Sequence, residues 1–324
     1  MVEGWSKHAD LILSTAFYMF ASAGMTIFNK LAVVNLPLPL TIVAIQMAFT
    51  VGSIMCNVSL LSYGSGDDIR RWACTVPVLF VGMLASSMLA MQFSTLGTIV
   101  VCRNVAPIAT MLIESVFRIP FVISTHTVLA LITIVAGVVL YEANDLEFSV
   151  GGLTAIVINM VFAVLERIMQ RHLMANNPVD LSKPMMMLLN NGVGMVPTLL
   201  LAVIWGEHVR WRKAFAEVTT RGVVYLVISC LNGLAISYAG IRLQHIVAAT
   251  TFMVITNVNK FAVIFFGIIA FNESAELFSI LGCALAILGG VYYAEARKRA
   301  EEDRLAGPTA VSTAHYAKVL GGTA

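Results

Sequence analysis

The sequence predicts an all-α integral membrane protein with ten transmembrane helices in two inverted five-helix repeats. Three observations predict it. First, 59% of the 324 residues are apolar and only 12% charged, with a mean hydropathy of +0.86. A soluble domain carries about twice that charge density and about 45 to 50% apolar residues. The few polar residues left would not cover two water-facing globules, so the chain forms one membrane domain. Second, apolar stretches of about 17 to 25 residues recur between short polar turns. Third, features of the first half return in the second at a fixed offset.

Taken in order, the spans fall at roughly 9–28, 38–61, 74–93, 96–117, 121–141, 150–170, 184–205, 222–241, 246–270 and 276–296, with ends good to about three residues. Turn-forming sequences separate them: Leu36-Pro37-Leu38-Pro39, Tyr63 to Asp68, Asn176-Asn177-Pro178 and Trp205-Gly206-Glu207. Long apolar runs such as the one holding Val291-Tyr292-Tyr293 lack the alternation of a membrane β-barrel. The first run lacks a small-residue cleavage site and is long enough to span, so it reads as a retained helix rather than a signal peptide. No Arg- and Ser-rich transit peptide is visible, which weighs against a plastid or mitochondrial address. Residues 1–304 therefore read as one domain, with repeat one at about 9–143 and repeat two at about 150–296. Arg297 to Arg304 reads as a charged helical extension and 305–324 as a disordered tail.

An even number of spans puts both termini on one side. One alternating set of loops and termini holds twelve of the 20 Lys and Arg residues, including Arg70, Arg71, Arg171, Lys183 and Arg297 to Arg299, and the other holds five: Lys30, Arg210, Arg212, Lys213 and Arg221. The bias predicts cytosolic termini. Net charge is +2 with dispersed basic residues, which excludes nucleic-acid binding as a main role. The five cysteines stand singly without a CxxC pair and read as buried thiols, not a disulfide framework or zinc site.

The repeat shows in two places. Thr98, Val101, Asn104 and Val105 recur as Thr251, Val254, Asn257 and Val258, and Gly137-Val138 and Glu142-Ala143 recur as Gly290-Val291 and Glu295-Ala296. Because each half has an odd number of spans, the second would enter the membrane upside down, around a pseudo-two-fold axis in its plane. Such halves can rock about a central site.

Lys260 marks that site. A lysine at mid-helix costs about 2.5 to 3.5 kcal/mol on insertion scales, so it needs a partner or a wet cavity. Thr251, Asn257 and a face formed by Phe252, Thr256, Asn259 and Lys260 surround it. This set suits an anionic, hydroxyl-rich solute such as a phosphorylated sugar or nucleotide. The alternative is an ion pair with Glu114 or Glu166, with the amides joining helices. Asn190 and Asn191 hold two amides at membrane depth, matched either to the edge of a nucleobase or to helix pairing. Arg103, beside Asn104, reads as a phosphate clamp or as an ion-pair partner of Glu114. Tyr18 and Asn29 share a face of the first helix, and Lys30 is either part of the site or a residue reaching for the interface. His126 and His245 read as surface residues, and Met185 to Met187 as adaptable packing rather than a metal path. Neither a P-loop nor an HExxH or G-x-S-x-G signature is present, so no enzyme, cofactor or ATP-driven pump is indicated.

Over essentially its whole length the chain resembles the nucleotide-sugar transporters of the drug/metabolite transporter superfamily, most closely the GDP-mannose transporter branch. Asn29-Lys30-Leu31-Ala32-Val33-Val34-Asn35 is similar to N-K-x-V-V-N, Asn190-Asn191 to the second half of F-Y-N-N, and Asn259-Lys260 to the end of G-A-L-N-K. Leu188-Leu189, Thr256-Asn257 and Phe252 depart from the corresponding Phe-Tyr, Gly-Ala and tyrosine. The resemblance implies that Tyr18 contacts the sugar, that Asn190 and Asn191 read guanine, and that the Lys260 segment lines the sugar and phosphate end. It further implies antiport in the Golgi membrane, a cytosolic nucleotide sugar exchanging for a lumenal nucleoside monophosphate such as GMP, in some members as a homodimer. A UDP-sugar or triose-phosphate exchanger is the nearest alternative. A non-transporting scaffold or receptor stands against it, as does a transferase acting on lipid-linked sugars, for which Asp67-Asp68 would be the acidic pair.

Overall fold

The computed structural model describes residues 2–116, 124–143, 149–173, 178–246, 249–271 and 276–320. Among the described residues thirteen α-helices follow one another: α1 (Val2–Asn35), α2 (Pro39–Met55), α3 (Gly66–Ala73), α4 (Val76–Phe93), α5 (Leu96–Cys102), α6 (Ala106–Val116), α7 (Thr125–Glu142), α8 (Val150–Arg171), α9 (Lys183–Ile204), α10 (Glu207–Glu217), α11 (Thr220–Ile246), α12 (Ala249–Phe271) and α13 (Leu277–Leu320). Seven stretches, from Leu11–Asn35 to Leu277–Ala300, are long and apolar enough to cross a membrane, and Pro39–Met55, Thr125–Tyr141 and Asn259–Phe271 form shorter apolar helices. The protein is a multi-pass membrane protein of the all-α class.

Hydroxyl residues start many of these helices by accepting from a free backbone N–H. Thr95 accepts from Thr98, Ser124 from Thr127, Ser149 from Gly152 and Ser182 from Met185, while Ser65 and Asp68 form a reciprocal capping box on α3. Pro39 opens α2, and Gly206 separates α9 from α10 at φ +77°, a conformation that suits glycine. Where a helix end lies within the hydrocarbon region such local satisfaction is obligatory, because no water reaches it there.

Helices α2 and α9 run antiparallel through the centre: Leu40 packs on Ala202, Thr198 Oγ1 lies 3.5 Å from Met47 Sδ, and Val51 approaches Gly192. Around them α1 packs on α11, α4 on α8 and α7 on α13. The last pair is tight. A Cβ on Gly137 would lie 2.4 Å from Ala286 N, and one on Gly282 would lie 2.6 Å from Tyr141 N, so only glycine permits this approach.

Two sequence expectations change. The predicted fourth span is interrupted: α5 ends at Cys102, a 3-10 turn covers Arg103–Val105, and α6 follows. Pro107 explains the break, since it has no N–H to offer Arg103 O and its ring crowds that carbonyl. Cys56 and Cys74 are exposed rather than buried, because they stand at the C-terminal ends of α2 and α3, where the chain turns out of the bundle; Cys102, Cys230 and Cys283 are buried. Helix α13 runs on from its apolar span through the charged Arg297–Arg304 extension.

Candidate functional site

Helix α12 carries Lys260 midway along an apolar segment, where its side chain is half-buried. Its Nζ donates to Asn104 Oδ1 at 2.6 Å. Asn104, 2% exposed, sits in the 3-10 turn between α5 and α6, and its Nδ2 donates back to Val100 O at 3.2 Å. The amide nitrogen is thus tied to its own helix and the oxygen is turned to the ammonium. An interrupted helix facing a cation is an arrangement that carriers use near the bilayer midplane, since irregular backbone at that depth must line protein or a wet cavity.

Asn259, 4% exposed, fastens α12 to α1. With its amide oriented to match its neighbours, the nitrogen donates to Met19 O at 3.1 Å and the oxygen accepts from Ser22 Oγ at 3.0 Å. Tyr18, one residue before Met19, is buried against Ala239 and Leu243 of α11, with Ile255 of α12 beside it. Asn259, Lys260 and Asn104 therefore link α1, α12 and the α5–α6 turn, while the Tyr18 side chain packs toward α11. Thr251, Phe252, Thr256 and Asn257 belong to α12, with side chains outside the described residues, as are those of Glu114, Arg167 and His245.

Arg103 turns away from Lys260. Its Nε donates to Asn159 Oδ1 at 3.1 Å and its Nη2 to Ser87 Oγ at 2.7 Å, while Asn159 Nδ2 donates to Met83 O at 2.7 Å. The guanidinium so joins the turn to α8 and α4. Glu166, the other carboxylate weighed as a partner of Lys260, accepts from Gln170 on its own helix.

Farther along α1, Asn29 Oδ1 accepts from Gln46 Nε2 at 2.8 Å, and the same nitrogen lies 2.9 Å from Ser229 Oγ, joining α1, α2 and α11. Lys30 does not reach for the interface. Its Nζ donates to Met91 O at 2.8 Å and to Ser94 O at 2.6 Å, closing the carbonyl end of α4.

Asn190 and Asn191 form a second group. Both are buried, at 7% and 9% exposed, but their amides diverge as adjacent residues of a helix must. Asn190 Oδ1 accepts from Trp72 Nε1 at 2.9 Å, whereas Asn191 Nδ2 donates to Met187 O on its own helix at 2.8 Å. Asp67 and Asp68 pair with Arg70 and Arg71 at 3.9 and 3.5 Å, so the acidic pair serves α3 itself. His126 is exposed, with Nδ1 2.7 Å from Tyr292 Oη.

Sequence reasoning passed over Gln46, Trp72, Asn159, Glu207 and Trp211. Glu207 is fully buried at the start of α10, where Oε1 accepts from Leu40 N at 2.9 Å and Oε2 accepts from Thr41 N at 2.8 Å and Thr41 Oγ1 at 2.6 Å; Trp211 Nε1 donates to the same Thr41 hydroxyl at 2.8 Å. A signal was available: each of these polar or amphipathic side chains interrupts or flanks an apolar run, where an unpartnered polar group would be costly.

Comparison with known proteins agrees over most of the chain. It is 23% identical over 299 residues to GDP-fucose transporter 1 of Arabidopsis thaliana, covering 87% of this chain and 84% of that protein. To the GDP-mannose transporter GONST3 of Arabidopsis thaliana it is 24% identical over 295 residues, covering 89% and 78%. To the GDP-mannose transporter of Kluyveromyces lactis it is 22% identical over 310 residues, covering 90% and 92%. Residues 9–294 match the Triose-phosphate Transporter family, so the chain belongs to that family of transporters.

Proposed function

We propose that this protein is an antiporter that carries a GDP-sugar, GDP-mannose or a close relative, from the cytosol into the Golgi lumen in exchange for GMP, by alternating access. The observation that carries the reading is the Lys260 ammonium, half-buried at mid-helix and held by the side-chain oxygen of Asn104 on a broken helix. A side-chain carbonyl can rotate away and leave the cation to a phosphate, which is a stronger, charge-assisted partner. The relatives carry names of GDP-mannose and GDP-fucose transporters, which supports a guanine nucleotide sugar as cargo. On this reading Tyr18, Thr251, Phe252, Thr256, Asn257, Asn259 and Lys260 attend the sugar and phosphates, while Asn190 and Asn191 attend the base. Asn29 and Asn104 support the chamber walls.

Alternating access asks for two exchangeable halves, and the packing supports ten spans in inverted repeats. Let α1 exchange with α8, α2 with α9, α4 with α11, α5–α6 with α12, and α7 with α13. The α1–α11 contact then becomes α8–α4, α4–α9 becomes α11–α2, α1–α12 becomes α8–α6, and α12–α13 becomes α7–α5; all of these contacts are made. The pairs α2–α9, α7–α13 and α5–α12 map onto themselves, as contacts on a two-fold axis do. The Lys and Arg bias, laid over this order of spans, supports cytosolic termini, with α3 on the same side and α10 on the lumenal side.

A substrate phosphate that replaces the Asn104 oxygen at the ammonium lowers the barrier to reversal, so exchange outruns net uptake. In proteoliposomes, GDP-mannose uptake is expected to rise at least tenfold when GMP is inside; equal uptake into empty vesicles would refute antiport. A panel of GDP-, UDP- and CMP-sugars as competitors reads the base, and inhibition by UDP-sugars alone would move the cargo assignment to that class.

A further inference from the structure

The short helices α3 and α10 occupy equivalent places, each between the second and third spans of its half, and each makes the same crossing. From α3 the Trp72 indole donates 2.9 Å to Asn190 of α9, the second span of the other half. From α10 the Trp211 indole donates 2.8 Å to Thr41 of α2, again the second span of the other half. The equivalence is one of elements rather than register, since Thr41 opens α2 and Asn190 lies about two turns into α9. Because α2 and α9 run antiparallel, the two crossings lie at opposite ends of the bundle. Trp72 is the buried residue of α3, 1% exposed, and it fills a cluster with Leu181, Met185 and Leu189. Both crossings are closed at once.

We infer that Trp72 and Trp211 are the two gate residues of the carrier, each holding one end of the central α2–α9 pair shut until the halves rock. The inference rests on the alternating-access reading. Trp72 is also a positioning residue for cargo: its N–H occupies the Asn190 oxygen, so a base bearing an N–H donor must take that oxygen over as the α3 end opens or closes. Each gate carries further polar bonds: at α10 the Glu207 carboxylate accepts two backbone N–H groups of α2 and the Thr41 hydroxyl, and at the α3 end Ser62 N–H donates to Ser182 Oγ at 2.9 Å and Ser182 N–H to Ser62 O at 3.3 Å, just ahead of α9.

The test places a reporter thiol at each end in full-length protein with its five native cysteines replaced: Met185→Cys beside Trp72 and Ala202→Cys beside Leu40. Proteoliposomes of one orientation are treated with a membrane-impermeant maleimide from either side. Trp72→Phe should speed labelling of the α3-end reporter about fivefold, the shift one net hydrogen bond supports, and slow labelling at the α10 end. Trp211→Phe should do the reverse, and the double variant should return the ratio of the two rates toward that of the parent. A structural role alone would loosen both ends in either variant and worsen in the double variant, and that result would overturn the inference, as would unchanged labelling. This readout needs no cargo: gates that respond in a protein that exchanges no nucleotide sugar would sink the cargo assignment and leave the gates standing, and exchange without gate response would do the opposite.

Discussion

Two lysines inside the bundle meet opposite kinds of oxygen. Lys30 donates to the backbone carbonyls of Met91 and Ser94, whereas Lys260 donates to the side-chain amide of Asn104. A backbone carbonyl at a helix end has nowhere to go unless the helix unwinds, so Lys30 is committed to holding α4 in place. A carboxamide turns about one bond, so the Lys260 partner can be exchanged for a substrate oxygen. The sequence puts Lys260 at the centre of the candidate site and leaves Lys30 either part of it or reaching for the interface; their acceptors give the two lysines different freedom to meet a ligand.

Substitutions sharpen that contrast. The largest effect is expected from Lys260→Ala, which should lower the exchange rate about 10- to 100-fold, the equivalent of one charged hydrogen bond, while leaving the unfolding midpoint unchanged or higher because an intramembrane charge is gone. Lys30→Ala should invert the pattern. It orphans two carbonyls at the end of α4 and should cost about 1 to 3 kcal/mol of stability in thermal unfolding, with the KM for cargo within about twofold of the parent. A drop in affinity with intact stability would erase the distinction.

Glu207 extends the comparison to backbone donors, since it is committed to the first N–H groups of α2. Glu207→Gln keeps the shape and removes the charge, and should cost about 1 to 2 kcal/mol of stability, read as a lower melting midpoint. The smallest effect belongs to Asn104→Ala. With the carbonyl gone the substrate no longer displaces it, and the KM should fall about fivefold with turnover reduced. A KM that rises instead would make Asn104 a direct substrate contact.

Much of this was legible in advance. Ten apolar runs announce themselves by composition, and Lys260 by the cost of an ammonium in hydrocarbon. Asn104 stood out in the sequence through the pattern that Thr98 to Val105 shares with Thr251 to Val258, at the offset that also relates Glu142-Ala143 to Glu295-Ala296. The acceptors were not legible. Whether Lys30 reaches water, substrate or Met91 O depends on how α4 packs against α1, and no local pattern encodes that. Pro107 did carry a readable sign of the break beside Asn104, hidden by the apolar residues on either side. Trp72 and Trp211 were unreadable as partners of Asn190 and Thr41, because each bond joins residues more than a hundred positions apart across the two halves.

Equilibrium binding of labelled GDP-mannose to purified protein, compared across the parent, Lys260→Ala and Lys30→Ala, tests the assignment most directly. The expected result is a Kd at least tenfold weaker for Lys260→Ala and unchanged for Lys30→Ala. Full-strength binding to folded Lys260→Ala protein would contradict it and return the ammonium to the scaffold.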